Sequence, residues 1–194
     1  MKSLWSSNVL LITLTAVSLF GWQPEARAAL IQWSISSGGN GHFYDTTPAG
    51  SSWTDAEAYA ISQGGHLVSI DDSAENAFIQ ATFLTGPSAT EDFWIGLNSP
   101  VGDFTDPATW VWVNGSTSNY RNWRPGQPDF GTGNDRFAAI NFTGDATWDN
   151  YPNSSFRMPR GIYEVEAVPV PSAVWLFGSG LLGLVGVAQR KKIA

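Results

Sequence analysis

The chain has 194 residues, a formal net charge of −7, no cysteine, and an aromatic complement of ten Trp, eleven Phe and five Tyr. Without Cys, thiolate catalysis, disulfide staples and Cys-built zinc sites are excluded, and aromatic packing has to supply the core. Half of the ten Lys and Arg lie near the ends; residues 29–168 hold five Arg and no Lys against sixteen Asp and Glu, a formal balance of −11. That balance repels phosphate backbones and argues against a nucleic-acid partner, while cations and neutral ligands remain open.

The start has the layout of an export signal. Lys2 precedes an apolar run from Val9 to Phe20, and Ala26-Arg27-Ala28 supplies a small-x-small cleavage site, so residues 1–28 are expected to be removed. An uncleaved anchor is the alternative, although the run is shorter than the roughly 20 residues that span a bilayer. The expected domain covers residues 29–168.

Leu30 to Ile35, a Gly-rich turn and His42-Phe43-Tyr44 predict a hairpin. Ser52-Trp53-Thr54-Asp55 resembles a capping box, and Ala56, Tyr59 and Ala60 share one face of a helix expected over Trp53–Gln63, before Gly64-Gly65. His66 to Ile70 predicts a short strand. A second helix opens at Asp72, with Ala74, Phe78, Ala81 and Phe83 or Leu84 expected to face inward. The carboxylates of Asp71, Asp72 and Glu75 are assigned to capping rather than to acid–base chemistry, and His66 to a structural role.

Phe93 to Leu97 is a nearly continuous apolar run suited to a central strand, and Trp110 to Val113 is a strand ended by Asn114-Gly115. About twenty polar, Gly- and Pro-rich residues follow, Ser116 to Asp135, a length that in a compact domain marks a functional loop or disorder. Trp123, Pro125 and Pro128 argue for order. Strands are expected again over Phe137–Phe142, from Trp148, and over Gly161–Val165. The sequons at Asn114, Asn141 and Asn153 are expected to be turn residues.

Within the loop, Gln127-Pro-Asp-Phe-Gly-Thr-Gly-Asn-Asp135, taken with Trp148-Asp149-Asn150, offers three carboxylates, several amides and flexible glycines. These are the oxygen donors a hard cation such as calcium requires, with no need of Cys or His.

Residues 42–166 resemble a C-type lectin-like domain. The resemblance is carried by Trp53 and Ala56 ahead of Gly64 to Ile70, by Glu75 and Phe78, by Trp94-Ile95-Gly96-Leu97, by Trp110-Val-Trp112 with Asn114-Gly115, by Asn122-Trp123 with Gly126-Gln127-Pro128-Asp129, by Asp135 with Ala138 and Ile140, by Trp148-Asp149-Asn150, and by Tyr163-Glu164. It implies an α+β fold with two helices flanking two small antiparallel sheets, and a long loop that binds one Ca2+ and through it a sugar. It also implies Gln127, Asp129, Asp135, Asp149 and Asn150 as metal ligands, with a cis peptide before Pro128. Carbohydrate contacts would come from Gln127, Asp129, Phe130, Asp135 and Asp149, Phe130 being the candidate stacking ring; the Gln-Pro-Asp triplet implies a galactose-type preference.

The sequence departs from the family pattern in three places. Residues such as Ala60, Phe137 and Tyr163 stand where the family has cysteines. The last triplet is inverted to Asp149-Asn150. Arg136 and Phe130 replace acids of a second calcium site, hence the expectation of one ion.

At the C-terminus, Val168-Pro-Val-Pro-Ser172, an apolar run from Ala173 to Ala188 and Arg190-Lys191-Lys192 resemble the bacterial PEP-CTERM sorting tail, with Val170 in place of the Glu of the name. Residues 169–194 would then be a sorting and transmembrane tail, with an exosortase-type processing enzyme and the inner membrane as partners; an ordinary single-pass anchor is the alternative. The function expected is calcium-dependent binding of carbohydrate or extracellular polysaccharide at the cell surface or in its matrix. The alternative is a lectin-like module for protein binding, adhesion or matrix structure. No Ser-His-Asp set, Cys nucleophile or phosphate loop supports an enzyme.

Overall fold

The computed structural model describes residues 30–153 and 160–167. The expected export signal over residues 1–28 and the expected sorting tail over residues 169–194 lie outside the described residues. Among the described residues no helix is long and apolar enough to cross a membrane.

Strand β1 (Ile31–Gln32) pairs antiparallel with β2 (Phe43–Thr46), the expected hairpin, with Trp33 packed on the core by stacking on Phe78 at 5.1 Å. Helix α1 (Trp53–Ser62) is capped by Ser52, whose hydroxyl accepts from Asp55 N–H, and it buries Trp53, Ala56, Glu57 and Ala60. Strand β3 (His66–Leu67) is followed by helix α2 (Ser73–Phe83), capped by Asp72 accepting from Glu75 N–H at 2.8 Å. Then come β4 (Phe93–Asn98), β5 (Val111–Trp112), β6 (Phe137–Ile140), β7 (Trp148–Tyr151) and β8 (Arg160–Val165). The class is α+β, two helices on a mixed sheet.

The two expected antiparallel groups are present, β1, β2, β3 and β8 in one and β4 to β7 in the other. A parallel pairing of β4 with β8 through Phe93–Arg160 and Trp94–Gly161 joins them into one mixed sheet along β1-β2-β8-β4-β6-β7, with β3 on β8 and β5 on β4. Of the residues expected to face inward from α2 and its end, Phe78, Phe83 and Leu84 pack on the core. Ala74 and Ala81 are instead exposed, and Glu75, Asn76 and Ile79 take the buried positions. The apolar pattern misleads because both buried polar groups have partners: Glu75 Oε1 accepts from Tyr44 OH at 2.7 Å, and Asn76 Oδ1 accepts from Trp148 Nε1–H at 3.0 Å.

The positions where the family has cysteines are filled by packing. Ala60 is fully buried, Phe137 lies 4.9 Å from the Trp53 ring, and Tyr163 meets Tyr59 edge-on at 6.0 Å. The three sequon asparagines serve as structural residues. Asn114 donates to Ser69 Oγ at 2.6 Å, Asn141 adopts φ 87° and donates to the Ala89 and Glu91 carbonyls, and Asn153 accepts from Thr54 N–H. His66 bonds Glu57 at 2.6 Å, the structural role expected of it.

Glu75 makes stability depend on pH. Burial pushes its carboxyl up to about 7, against hydrogen bonds from Asp71 N–H and Tyr44 OH that pull it down; the Glu164 and Asp71 charges push the same way as burial. The folded chain therefore holds a proton that the unfolded chain releases near 4.5, so stability is fullest below that value and is lost as pH rises towards 7. His42, raised by its bond to Glu164 at 2.7 Å, acts in the same direction: its contribution is complete below 6.5 and lost above its raised value. Melting temperature should fall from pH 4.5 to 8, by on the order of 3 kcal/mol of stability for Glu75. Glu75→Gln should flatten the segment below pH 7 in a thermal-melt series, and an unchanged slope would remove Glu75 as its source.

Candidate functional site

One core residue makes several of the contacts that anchor the long loop. Trp148, fully buried at the start of β7, accepts from Arg124 N–H at 2.8 Å and donates its backbone N–H to Asn122 at 2.8 Å. Its ring is met edge-on by Trp112, Tyr120 and Trp123 at 5.6 to 5.9 Å. From this anchor the chain turns through Gln127 N–H donating to Arg124 O at 2.9 Å, and the Gln127–Pro128 peptide is cis, as expected.

Beyond the turn lies an open cavity of about 220 Å³, lined by Gln127, Asp129, Asp135, Asp149 and Asn150, and by Arg124 and Thr132 among others. The two segments that the sequence separates are thus adjacent. All five expected ligands border one hollow, but they are not equally available.

Asn150 is the clamp. Its Oδ1 accepts from Asp129 N–H at 3.0 Å, and its Nδ2 donates to the Asp129 and Asp135 carbonyls at 2.8 and 2.9 Å. A carboxylate there would set acceptors against two carbonyls, which gives a physical reason for the inverted triplet: the amide belongs at 150 and the charge at 149. Asp149, buried, accepts from Asn150 N–H at 2.8 Å and pairs with Arg124 Nη2 at 2.7 Å. Asp135, 2% exposed, accepts from Thr132 through its hydroxyl at 2.6 Å and its backbone N–H. Asp129 is exposed and accepts from Gly131 N–H at 2.9 Å. Gly131 lies between the last two carboxylates; a Cβ there would meet Asp135 Oδ2 and, at 3.2 Å, Asp129 Oδ1.

Gln127 Oε1 is buried with no hydrogen-bond partner among the described residues. An orphaned acceptor costs roughly 1–3 kcal/mol, a penalty that a bound cation would relieve. Among the described residues no three acidic or His side chains converge as a metal cluster; Asp149 pairs with Arg124 and Asp135 accepts from Thr132. The donors themselves are all oxygens and carry three formal negative charges, the chemistry that suits calcium.

Phe130 does not line the hollow. It is 67% exposed and stacks on Phe104 at 5.6 Å. The aromatic walls are Phe142 and Tyr151, which the sequence reading missed together with Arg124 and Thr132. Arg124 lies over the Phe142 ring at 4.8 Å. Its place three residues ahead of Gln127 in a tight turn was the available signal. Arg136 donates to the Ser99 and Gly102 carbonyls and covers Phe104 at 5.0 Å.

Comparison with known proteins follows the same lines. Residues 49–156 match the family described as Lectin C-type domain. The galactose-specific lectin nattectin of Thalassophryne nattereri is 37% identical over 98 residues, half of this chain and 58% of that one. Across such relatives the chain spans somewhat over half their length. Among solved structures, the C-type lectin CEL-I of Cucumaria echinata superposes with a TM-score of 0.56 at 21% identity, covering 63% of this chain and 89% of that one. A calcium-independent type II antifreeze protein gives 0.56 at 22%, covering 74% and 100%.

Proposed function

We propose a function from one premise: the chain belongs to the C-type lectin domain family, a family of binding modules rather than enzymes. The domain binds carbohydrate through one calcium ion in the hollow between the long loop and β7. The observation that carries this reading is the buried, partnerless Gln127 Oε1, set beside Asp129, Asp135 and Asp149 around one cavity. Gln127, Asp129, Asp135 and Asp149 would hold the ion, with Asn150 fixing the loop that presents them and offering its remaining lone pair. Calcium bound there supplies vacant coordination positions for two neighbouring sugar hydroxyls. The chain's own carboxylates accept, and the Gln127 amide donates, hydrogen bonds to the same hydroxyls. Similarity to a relative named as galactose-specific, and the Gln-Pro-Asp triplet, favour a galactose-type sugar. Phe142 and Tyr151 offer apolar walls that Phe130 does not.

The terminal segments would deliver this module outside the cell. We assign residues 1–28 to export and 169–194 to a PEP-CTERM-like tail, transiently anchored in a bacterial inner membrane and processed by an exosortase-type enzyme. The module would then act at the cell surface or in extracellular polysaccharide.

One observation favours a second reading. Asp135 already bonds Thr132, and Asn150 of β7 already bonds the Asp129 carbonyl, so these contacts alone would order the loop and the domain would serve protein binding, adhesion or matrix structure. The deciding experiment titrates the purified protein with calcium while following Trp fluorescence, Trp123 being close to the loop turn, and then compares a glycan array with and without chelator. Glycan retention that depends on calcium supports the first reading; retention unchanged by chelator removes the calcium-bridged mechanism.

A further inference from the structure

We infer that Arg124 is a resident cation that contends with calcium for Asp149 and so sets the affinity of the site; the inference rests on the calcium reading above. The guanidinium pairs with Asp149 Oδ2 at 2.7 Å inside the same cavity that holds the other expected ligands. Asp149 is one of three carboxylates there, all borne by a domain with a formal balance of −11, and Arg124 is the one basic side chain lining the hollow among the described residues. Without a dication the three acids repel one another, and a fixed positive charge at one of them relieves part of that repulsion.

The hold is releasable. Among the described residues Arg124 Nε is buried with no partner, and the side chain is held by one charge-assisted bond and by the Phe142 ring at 4.8 Å. Its backbone is fixed by Trp148 O at 2.8 Å, so the side chain can swing while the turn that carries Gln127 stays in place. Arg124 thus has two effects of opposite sign. It stabilises the calcium-free loop, and it raises the cost of placing a second positive centre beside Asp149. The site is thereby tuned to fill only where calcium is plentiful, as it is outside a cell.

The test is calorimetric titration of calcium into wild type, Arg124→Met and Arg124→Lys, with thermal melts in chelator. Arg124→Met, which keeps an unbranched stem against Phe142, should bind calcium about tenfold more tightly and melt lower in chelator, because a like charge a few ångströms away has been removed. Arg124→Lys should stay near wild type, which separates charge from packing. In wild type, the Arg124 Nε–H resonance should shift as calcium is added, a readout independent of any variant's folding. Calcium binding by Arg124→Met alone would equally support the inference. If wild type binds calcium and Arg124→Met binds no more tightly, or the resonance does not move, Arg124 is not the competitor and the calcium reading stands. If neither protein binds calcium, both fall.

Discussion

Asp135→Asn is expected to weaken calcium binding by about a hundredfold, a change of ~2.7 kcal/mol, while leaving the domain folded. Asp135 is 2% exposed, so its charge is poorly screened and contributes more to a bound dication than the exposed Asp129 does. The amide has nearly the shape of the carboxylate, and its remaining oxygen can still accept from Thr132, so the turn over residues 129–135 keeps its geometry. In chelator the variant should melt no lower than wild type, because one of three like charges around the hollow is gone. Sugar retention should fall with the metal. A titration showing unchanged calcium affinity would remove Asp135 from the ligand set. A melting temperature several degrees lower in chelator would instead make it a structural residue whose bonds to Thr132 matter more than its charge.

The elements themselves were legible because their punctuation is local. Ser52 and Asp72 mark the helix starts, the Gly64-Gly65 pair ends the first helix, and Asn114-Gly115 ends β5, each through short-range backbone chemistry. The apolar side of α2 was legible in Phe78, Phe83 and Leu84, but the burial of Glu75 and Asn76 was not, since their partners Tyr44 and Trp148 arrive from distant strands. The parallel β4–β8 pairing, likewise, depends on which edge of β4 is left open, a property of the assembled sheet. In the site, donor types and the cis peptide could be expected from the resemblance, but the division of labour could not. That Asn150 clamps the loop and Asp149 faces an arginine follows from the positions of the Asp129 and Asp135 carbonyls and of Arg124, none of which the triplet itself specifies. Phe130 misled for a related reason: its place next to Asp129 suggested a stacking ring, yet the backbone turn at Gly131 sends it towards Phe104.

Trp148→Ala should cost about 4 kcal/mol and lower the melting temperature by roughly 10 °C or more, the largest effect expected of any single side chain here. The ring is fully buried, and its loss opens a cavity between Trp112, Tyr120 and Trp123. It also orphans Asn76 Oδ1, which has the indole N–H as its donor. The consequence extends to function, because two of the rings that flank Trp148, Tyr120 and Trp123, lie on the loop that carries Gln127 and Asp129. Trp148→Phe separates the two roles. It keeps an aromatic against Tyr120 and Trp123 but gives up the bond to Asn76, so it should retain calcium binding within about tenfold at an intermediate melting temperature. If Trp148→Ala melted like wild type, the loop would have to be held by the backbone bonds of residue 148 to Arg124 and Asn122, which the substitution keeps. The coupling between core and site that the aromatic cluster provides would then be absent. If it melted low but bound calcium with unchanged affinity at temperatures where it stays folded, the cluster would stabilise the domain without positioning the ligands.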